Sequence, residues 1–302
     1  MTLRVATFNV LASAYADWPA RRRVIAAGLA RLRPDIVALQ EVIIAPELAE
    51  VEQLLGPGWY LAPHTRTGPD GVGAVLASRW PLSNVRHADL EFNTRAAQFP
   101  WSGTTAALAT VPSPFGPVLF VHHKPVYQWG FEYERERQAV LAAEFVEELV
   151  ARTDHHVVVL GDFDAAPETA SVRFWTGRQS LHGTSVSYHD AWESAHPDTA
   201  GHTFTPENPL VRTGDMPLTP PRRIDYVLVR GTPYGPTLQV RSCERIFVAP
   251  DDNGVQASDH YGVLAEFAVP GRPPGEMELP RSPAARPEQA ASNTQFRTEL
   301  PR

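Results

Sequence analysis

Short apolar runs and amphipathic stretches alternate along most of this chain, and their spacing predicts an ordered series of strands and helices. Residues 3–10 alternate apolar and polar positions and read as a strand ending at Asn9. Residues 21–32 carry Val24, Ile25, Leu29 and Leu32 at helical spacing, and Pro34 stops that helix. A second buried strand over 35–39 ends in Gln40 and Glu41, and 46–55 reads as a short helix backed by Gly56, Pro57 and Gly58. Stretches 73–78, 85–92, 105–111 and 118–121 look like successive strands separated by Gly/Pro turns. Residues 132–152 form the longest helical pattern, with Val140, Leu141, Phe145, Val146 and Leu149 on one face. The run Val157, Val158, Val159, Leu160 follows, and four apolar residues in a row indicate a strand buried on both faces. Residues 165–222 break the rhythm: they are rich in Thr, Gly, His and Pro and predict loops. Strands return at 223–229, 237–248 and 261–269. The expected organisation is one α/β domain over 1–269, followed by a Pro-rich disordered tail over 270–302.

Composition narrows the function classes. With 302 residues, 43% of them hydrophobic, the chain is long enough to bury a large core. A single cysteine, Cys243, excludes an internal disulfide and fits a reducing compartment. Met1 leads directly into the first strand, and no run of about 18 apolar residues is present. A cytoplasmic monomer without a membrane span is therefore expected. The 27 basic residues are outnumbered by 34 acidic ones, which argues against a protein committed to duplex nucleic acid.

The candidate chemistry sits at strand ends. Asn9, Glu41, His122, Asp162 with Asp164, Asp225, and Asp259 with His260 all fall where a predicted strand stops. Alternation puts Asp162 and Asp164 on one side of the chain and Phe163 on the other. Singly, each has an ordinary structural reading as a turn cap, a solvated strand end or a core histidine. Together they mark one site, because open α/β sheets bind ligands where strand ends converge.

In these pieces the chain resembles the endonuclease/exonuclease/phosphatase superfamily of metal-dependent phosphoesterases. The matching segments are Thr7-Phe8-Asn9-Val10, Leu39-Gln40-Glu41, His122 in Val121-His122-His123-Lys124-Pro125, Gly161-Asp162-Phe163-Asp164, Arg223-Ile224-Asp225-Tyr226 and Ser258-Asp259-His260. The resemblance implies a four-layer α/β/β/α sandwich with two central mixed β-sheets. It also implies that Glu41, Asn9 and Asp259 hold Mg2+ or Mn2+ through oxygen ligands. His260 would act as general base, with Asp225 accepting its other ring proton. Asp162 would orient the nucleophile or assist proton transfer, and His122 would donate to a phosphoryl oxygen. Two points stay open. The family usually has Asn where Asp164 stands, and a carboxylate cannot donate to phosphate as an amide can. His122 and His123 point to opposite faces of an extended chain, and His122 is favoured because Pro125 follows at the spacing of the family's turn.

The implied activity is hydrolysis of a phosphodiester or phosphomonoester by water attack. The alternatives are a DNA or RNA nuclease and a catalytically silent binding protein on the same fold. Specificity is expected in the loops 123–134 and 165–222, with Arg95, Lys124, Tyr127 and Trp129 as substrate-binding candidates. Arg21, Arg22, Arg23, Arg31 and Arg33 cluster on the first helix, expected on an outer face. Lys124, Arg95, Arg212, Arg222 and Arg223 are then the cations left near the cleft, enough for a small or accessible phosphoester.

Overall fold

The computed structural model describes residues 1–44, 48–99 and 101–275. In chain order the first half holds β1 (Leu3–Asn9), α1 (Trp18–Leu32), β2 (Ile36–Ile43), α2 (Ala49–Leu55), β3 (Tyr60–Pro63), β4 (Val72–Ser78), β5 (Leu82–Asp89), β6 (Gly103–Val111), β7 (Gly116–Lys124) and α3 (Glu132–Val150). The second half holds β8 (His156–Asp162), α4 (Ala170–Trp175), β9 (Tyr188–Asp190), α5 (Ala191–Ala195), α6 (Pro209–Thr213), β10 (Asp225–Thr232), β11 (Gly235–Pro236), β12 (Gln239–Ile246) and β13 (Gly262–Ala268).

These strands build two mixed sheets. One has six strands in the order β12-β13-β1-β2-β4-β3; the other has seven, in the order β11-β10-β8-β7-β6-β5 with β9 beside β10. The pairs β1–β2 and β7–β8 are parallel and the remaining pairs antiparallel. Strand alternation decides what each face buries. Val5, Ile36 and Leu76 of the first sheet meet Val118, Phe120, Val158, Leu160 and Val227 of the second in one apolar layer. The opposite faces carry helices. Ile25 and Leu29 of α1 and Val51 and Leu54 of α2 cover Phe8, Val37 and Leu39. Ala139, Val140, Ala143 and Val146 of α3, with Phe174 and Trp175 of α4, cover Val121, Val157 and Val159. The result is the expected sandwich of helices, sheet, sheet and helices.

Several local expectations shift. Helix α1 begins three residues early because Asp17 accepts a hydrogen bond from Ala20 N and Pro19 occupies the first turn. Strand β5 lies three residues before its expected span, and β7 runs on through Lys124 where 118–121 was expected. The loop-rich stretch 165–222 contains three helices of five or six residues and β9, all too short to leave a period in the sequence. Part of the helix expected over 46–55, and most of the tail expected over 270–302, lie outside the described residues. No helix among the described residues is long and apolar enough to cross a membrane.

Gly161, just before the paired acids, is required by close backbone approach. It has φ +153°, and a Cβ there would lie 2.0 Å from the carbonyl oxygen of His123 on the adjacent strand. Gly161→Ala should therefore destabilise the fold by about 3 kcal/mol or more, combining backbone strain with overpacking. Urea unfolding measures this, and an unchanged midpoint would show that the strands can part without cost.

Candidate active site

The inner face of the sandwich changes character at one end. Following each inward row past its last apolar residue gives Thr7 and Asn9 on β1, Gln40 on β2, His122 and Lys124 on β7, Asp162 on β8 and Asp225 on β10. All seven are buried. Asp225 lies directly opposite Asp162 in the β10–β8 ladder, so two carboxylates face the same space.

Glu41 reaches that space by a different device. Regular alternation would turn it to the helix side, behind Gln40. A β-bulge between Gln40 and Val42 and a left-handed backbone at Glu41 (φ +61°) re-aim it toward the cleft. There it accepts hydrogen bonds from Asn9 Nδ2 at 2.9 Å and from Ala12 N at 3.3 Å. Asn9 Nδ2 also donates to Asp162 Oδ2 at 3.0 Å, while Asn9 Oδ1 accepts from Leu11 N at 3.0 Å. Asn9 thus shows its amino group to the acids, and its carbonyl is spent on the backbone. In that orientation it bridges Glu41 and Asp162.

His260 and Asp225 form a buried pair, with Nδ1 donating to Asp225 Oδ2 at 3.0 Å. This fixes the tautomer and leaves Nε2 beside Asn9 Nδ2, at 3.4 Å. Burial alone would lower the His260 pKa, but Asp225, Asp162 and Asp259 hold it at about 10. Burial and the charge of Asp162 raise the carboxyl of Asp225, against the pull of His260. Asp162 itself is held at about 2, despite its burial, by the Lys124 ammonium and by His260. Asp164 rises to about 6 through burial and repulsion from Asp162. Asp259, beside Ser258 Oγ at 3.1 Å, is raised by burial and by the charge of Glu41.

The donors fit a hard divalent cation. Glu41 and Asp259 offer carboxylate oxygens at the cleft, and the repulsion by which Glu41 raises Asp259 is the kind a cation relieves. Asp162, Asp225 and His260 also bring one ligand atom each within 4.8 Å of one another. In that trio Nδ1 of His260 and Oδ2 of Asp225 are engaged with each other, and both Asp162 oxygens accept hydrogen bonds, Oδ1 from Asp164 N and Oδ2 from Asn9 and Lys124.

A cleft of about 470 Å3 opens onto this cluster, lined by Glu41, Lys124, Asp164, Asp259 and His260. Its further walls include Leu11, Tyr15, Trp101, Tyr127, Phe204, Val211 and Arg222. Two expected contacts are corrected. His122 does not reach the cleft: it is fully buried between the sheets, its Nε2 lies 2.7 Å from Gln40 Nε2, and its ring meets that of His64 at 4.6 Å. His123 points to the other side, against Phe163 and Trp175. The strand runs three residues further than expected, and Lys124 is the side chain that arrives. Arg95 is committed elsewhere, its guanidinium 3.9 Å above the Phe131 ring and 3.3 Å from buried Glu134. Tyr127 lines the cleft stacked on Trp101 at 6.0 Å, whereas Trp129 is exposed and supports Arg222, 4.3 Å above its ring. Arg223 is buried and paired with Asp190.

Sequence reasoning missed three supports. Arg21, read as a surface cation, is 1% exposed. Its guanidinium donates to the carbonyls of Val10, Leu11, Ala12, Tyr15 and Ala257, bracing the loop behind Asn9. Asn208 Nδ2 donates to the carbonyls of Ser258 and Asp259, holding the segment that carries His260. Phe204 packs on the His260 ring at 4.9 Å. None had a sequence signal, because each acts through contacts that only the folded loops create.

Comparison with known proteins finds similar sequences and a shared fold. A family model described as the Endonuclease/Exonuclease/phosphatase family matches residues 6–260. Human sphingomyelin phosphodiesterase 2 is 26% identical over 256 residues, which is 80% of this chain; the match spans 58% of that relative's length. Among solved structures, D. rerio TDP2 complexed with a single-strand DNA product superposes with TM-score 0.69 at 18% identity, covering 89% of this chain and 99% of that one. The human Nocturnin catalytic domain with a bound sulfate gives 0.64 at 20% identity, covering 89% and 94%. At these identities the structures show a shared fold.

The buried histidines give a pH prediction. Burial depresses His64 to about 3, below its unfolded value of about 6.5. The unfolded chain then binds a proton that the folded one does not, so this contribution is complete above pH 6.5 and lost as pH falls toward 3. The stability of wild type relative to His64→Gln should shrink by on the order of 1 kcal/mol per pH unit between pH 6 and 4. A pH-independent difference in urea midpoints would overturn it.

Proposed function

The chain belongs to the endonuclease/exonuclease/phosphatase family, and on that premise we propose that it is a metal-dependent hydrolase that cleaves a phosphoester by attack of water. Members of the family are hydrolases of phosphoester bonds. The observation that carries the reading here is the buried Asp225–His260 pair, whose free ring nitrogen faces a cluster of carboxylates at the floor of a cleft.

The residues divide the work as follows. Glu41 and Asp259, which line the cleft, would hold Mg2+ or Mn2+. A cation there supplies charge neutralisation and polarisation of the phosphoryl group, and it offsets the acids that hold His260 protonated. His260 Nε2 takes a proton from the attacking water as the new P–O bond forms and the bond to the leaving oxygen breaks. Asp225 keeps Nδ1 protonated and stabilises the imidazolium that results. Asn9 keeps Glu41 and Asp162 at a fixed separation.

The cleft favours a small or accessible phosphoester. Lys124 and Arg222 are the Lys/Arg side chains lining it among the described residues, against five acidic ones. Duplex binders neutralise several phosphates, and two cations serve one or two. The apolar wall of Tyr15, Trp101, Tyr127 and Phe204 suits a planar or apolar substituent on that phosphate. A second reading, a nuclease acting on single strands, draws support from the stacked Trp101 and Tyr127 rings, on which a base can lie. The DNA product bound by the zebrafish relative points the same way.

A screen in Mg2+ or Mn2+ over bis-p-nitrophenyl phosphate, sphingomyelin, inositol phosphates, RNA and plasmid DNA tests these readings. Turnover of at least one substrate, abolished by EDTA, is expected; full activity in EDTA would sink the proposal. Efficient plasmid nicking with a steep salt dependence would promote the nuclease. Glu41→Gln should abolish metal-dependent turnover and keep the fold. His260→Ala should cost about 10²–10⁴-fold, with Asp225→Asn costing less. Near wild-type turnover by His260→Ala would place the base elsewhere.

A further inference from the structure

We propose that Lys124 is the side chain that meets the phosphoryl oxygens from this sheet, and that Asp164 is its positioning residue. The inference rests on the reading of the cleft as a phosphoesterase site. It assigns the part that the sequence had given to His122, which the fold keeps out of the cleft.

Alternation along β7 puts His122 and Lys124 on the inner face, but two residues apart they reach different depths. His122 stops between the sheets, beneath Gln40, and Lys124 emerges at the strand end among the cleft residues. Its ammonium donates to Asp162 Oδ2 at 2.7 Å and to Asp164 Oδ2. An ammonium has three N–H bonds. Two are taken by these carboxylates, and the third remains for an oxygen in the cleft. Hydrogen bonds to two carboxylates keep the group an ammonium aimed along the cleft floor.

Asp164 is placed for this task. Its backbone is left-handed at φ +53°, a conformation that Asp and Asn tolerate better than other side chains. Its own N–H donates to Asp162 Oδ1 at 3.1 Å, which closes a tight turn and directs its carboxylate at Lys124. A carboxylate here cannot donate to a phosphate, but it can hold an ammonium that does. The two features that set this chain apart from the family's pattern, an acid at 164 and no histidine reaching the cleft from β7, then explain each other. A neutral donor pair has been exchanged for a Lys–Asp ion pair.

The chemistry follows from position. As water attacks, negative charge grows on the non-bridging oxygens, and a preorganised cation stabilises that charge more than it stabilises the ground state. Lys124 should therefore act on kcat more than on KM. If its place were only structural, as a counter-ion for two buried acids, its removal would lower stability and leave kcat per folded molecule unchanged.

Removing Lys124 alone would leave Asp164 buried and unpaired, so the decisive variant replaces both partners with neutral groups, Lys124→Gln with Asp164→Asn. Circular dichroism is expected to match wild type. Its kcat should fall about 10²–10³-fold while KM changes about threefold or less, and inorganic phosphate should bind about tenfold more weakly in Mg2+. Asp164→Asn alone should lower kcat about tenfold, and Lys124→Arg should retain more activity than Lys124→Gln. A double variant with wild-type kcat and phosphate affinity would overturn the inference. A wild-type protein without metal-dependent turnover would overturn the functional reading instead.

Discussion

Hydrogen bonds tie the two halves of the site across the sandwich. Asn9 Nδ2, at the end of β1 in one sheet, donates to Asp162 Oδ2, at the end of β8 in the other. Gln40 and His122 make a second crossing contact one layer deeper. Such links carry a stake, because a buried donor left without a partner, as Nδ1 of His122 is, costs roughly 1–3 kcal/mol. They are also demanding of register. A slip of one residue in either sheet would turn every inner side chain outward, so the apolar packing of Val5, Ile36, Phe120, Val158 and Leu160 also fixes where the acids meet.

This coupling explains what could be read from the sequence. The strands β1, β2, β8, β10 and β13 were legible because each carries a dense apolar run, and the side chains just beyond those runs had to lie at one edge. Asn9, Glu41, Asp162, Asp225 and His260 are brought together on that logic. Phase was the weak point. In Val121-His122-His123-Lys124 any of three residues could mark the strand end, and the apolar pattern stops at Val121 while the ladder with β6 continues to Lys124. Extending the strand by pairing, which the sequence does not display, decides which side chain enters the cleft. Glu41 was found for an incomplete reason, since only the bulge after Gln40 turns it toward the site. The loops of 165–222 were opaque because helices of five or six residues complete too few turns to show a period.

Three of the nine non-glycine residues with positive φ among the described residues border the site. Leu11, Glu41 and Asp164 all have left-handed backbones, with φ of +58°, +61° and +53°. For residues other than glycine such a conformation costs about 1–2 kcal/mol each. Each has a visible return in geometry: Leu11 caps onto Asn9 Oδ1, Glu41 escapes its strand's alternation, and Asp164 aims at Lys124. Repulsion among buried carboxylates adds to this local cost. Two sheets packed against each other and covered on both outer faces can carry that burden.

Arg21 shows how far the support extends. Its guanidinium draws the carbonyls of Val10, Leu11 and Ala12 toward the α1 side of the loop. The amides of Leu11 and Ala12 then face the other way, where they donate to Asn9 Oδ1 and Glu41. One buried cation thus sets the direction of a short backbone segment, and that segment sets the orientation of an amide and a carboxylate at the centre of the site. Arg21 carries a cost of its own, since burial lowers its pKa and only Asp259, Glu50, Glu41 and Asp17 pull it back. Two of those four acids, Glu41 and Asp259, belong to the cation cluster. The loop, its brace and the acids are therefore held in place by a shared charge balance, and the side chains that would grip a cation also keep Arg21 ionised beneath them.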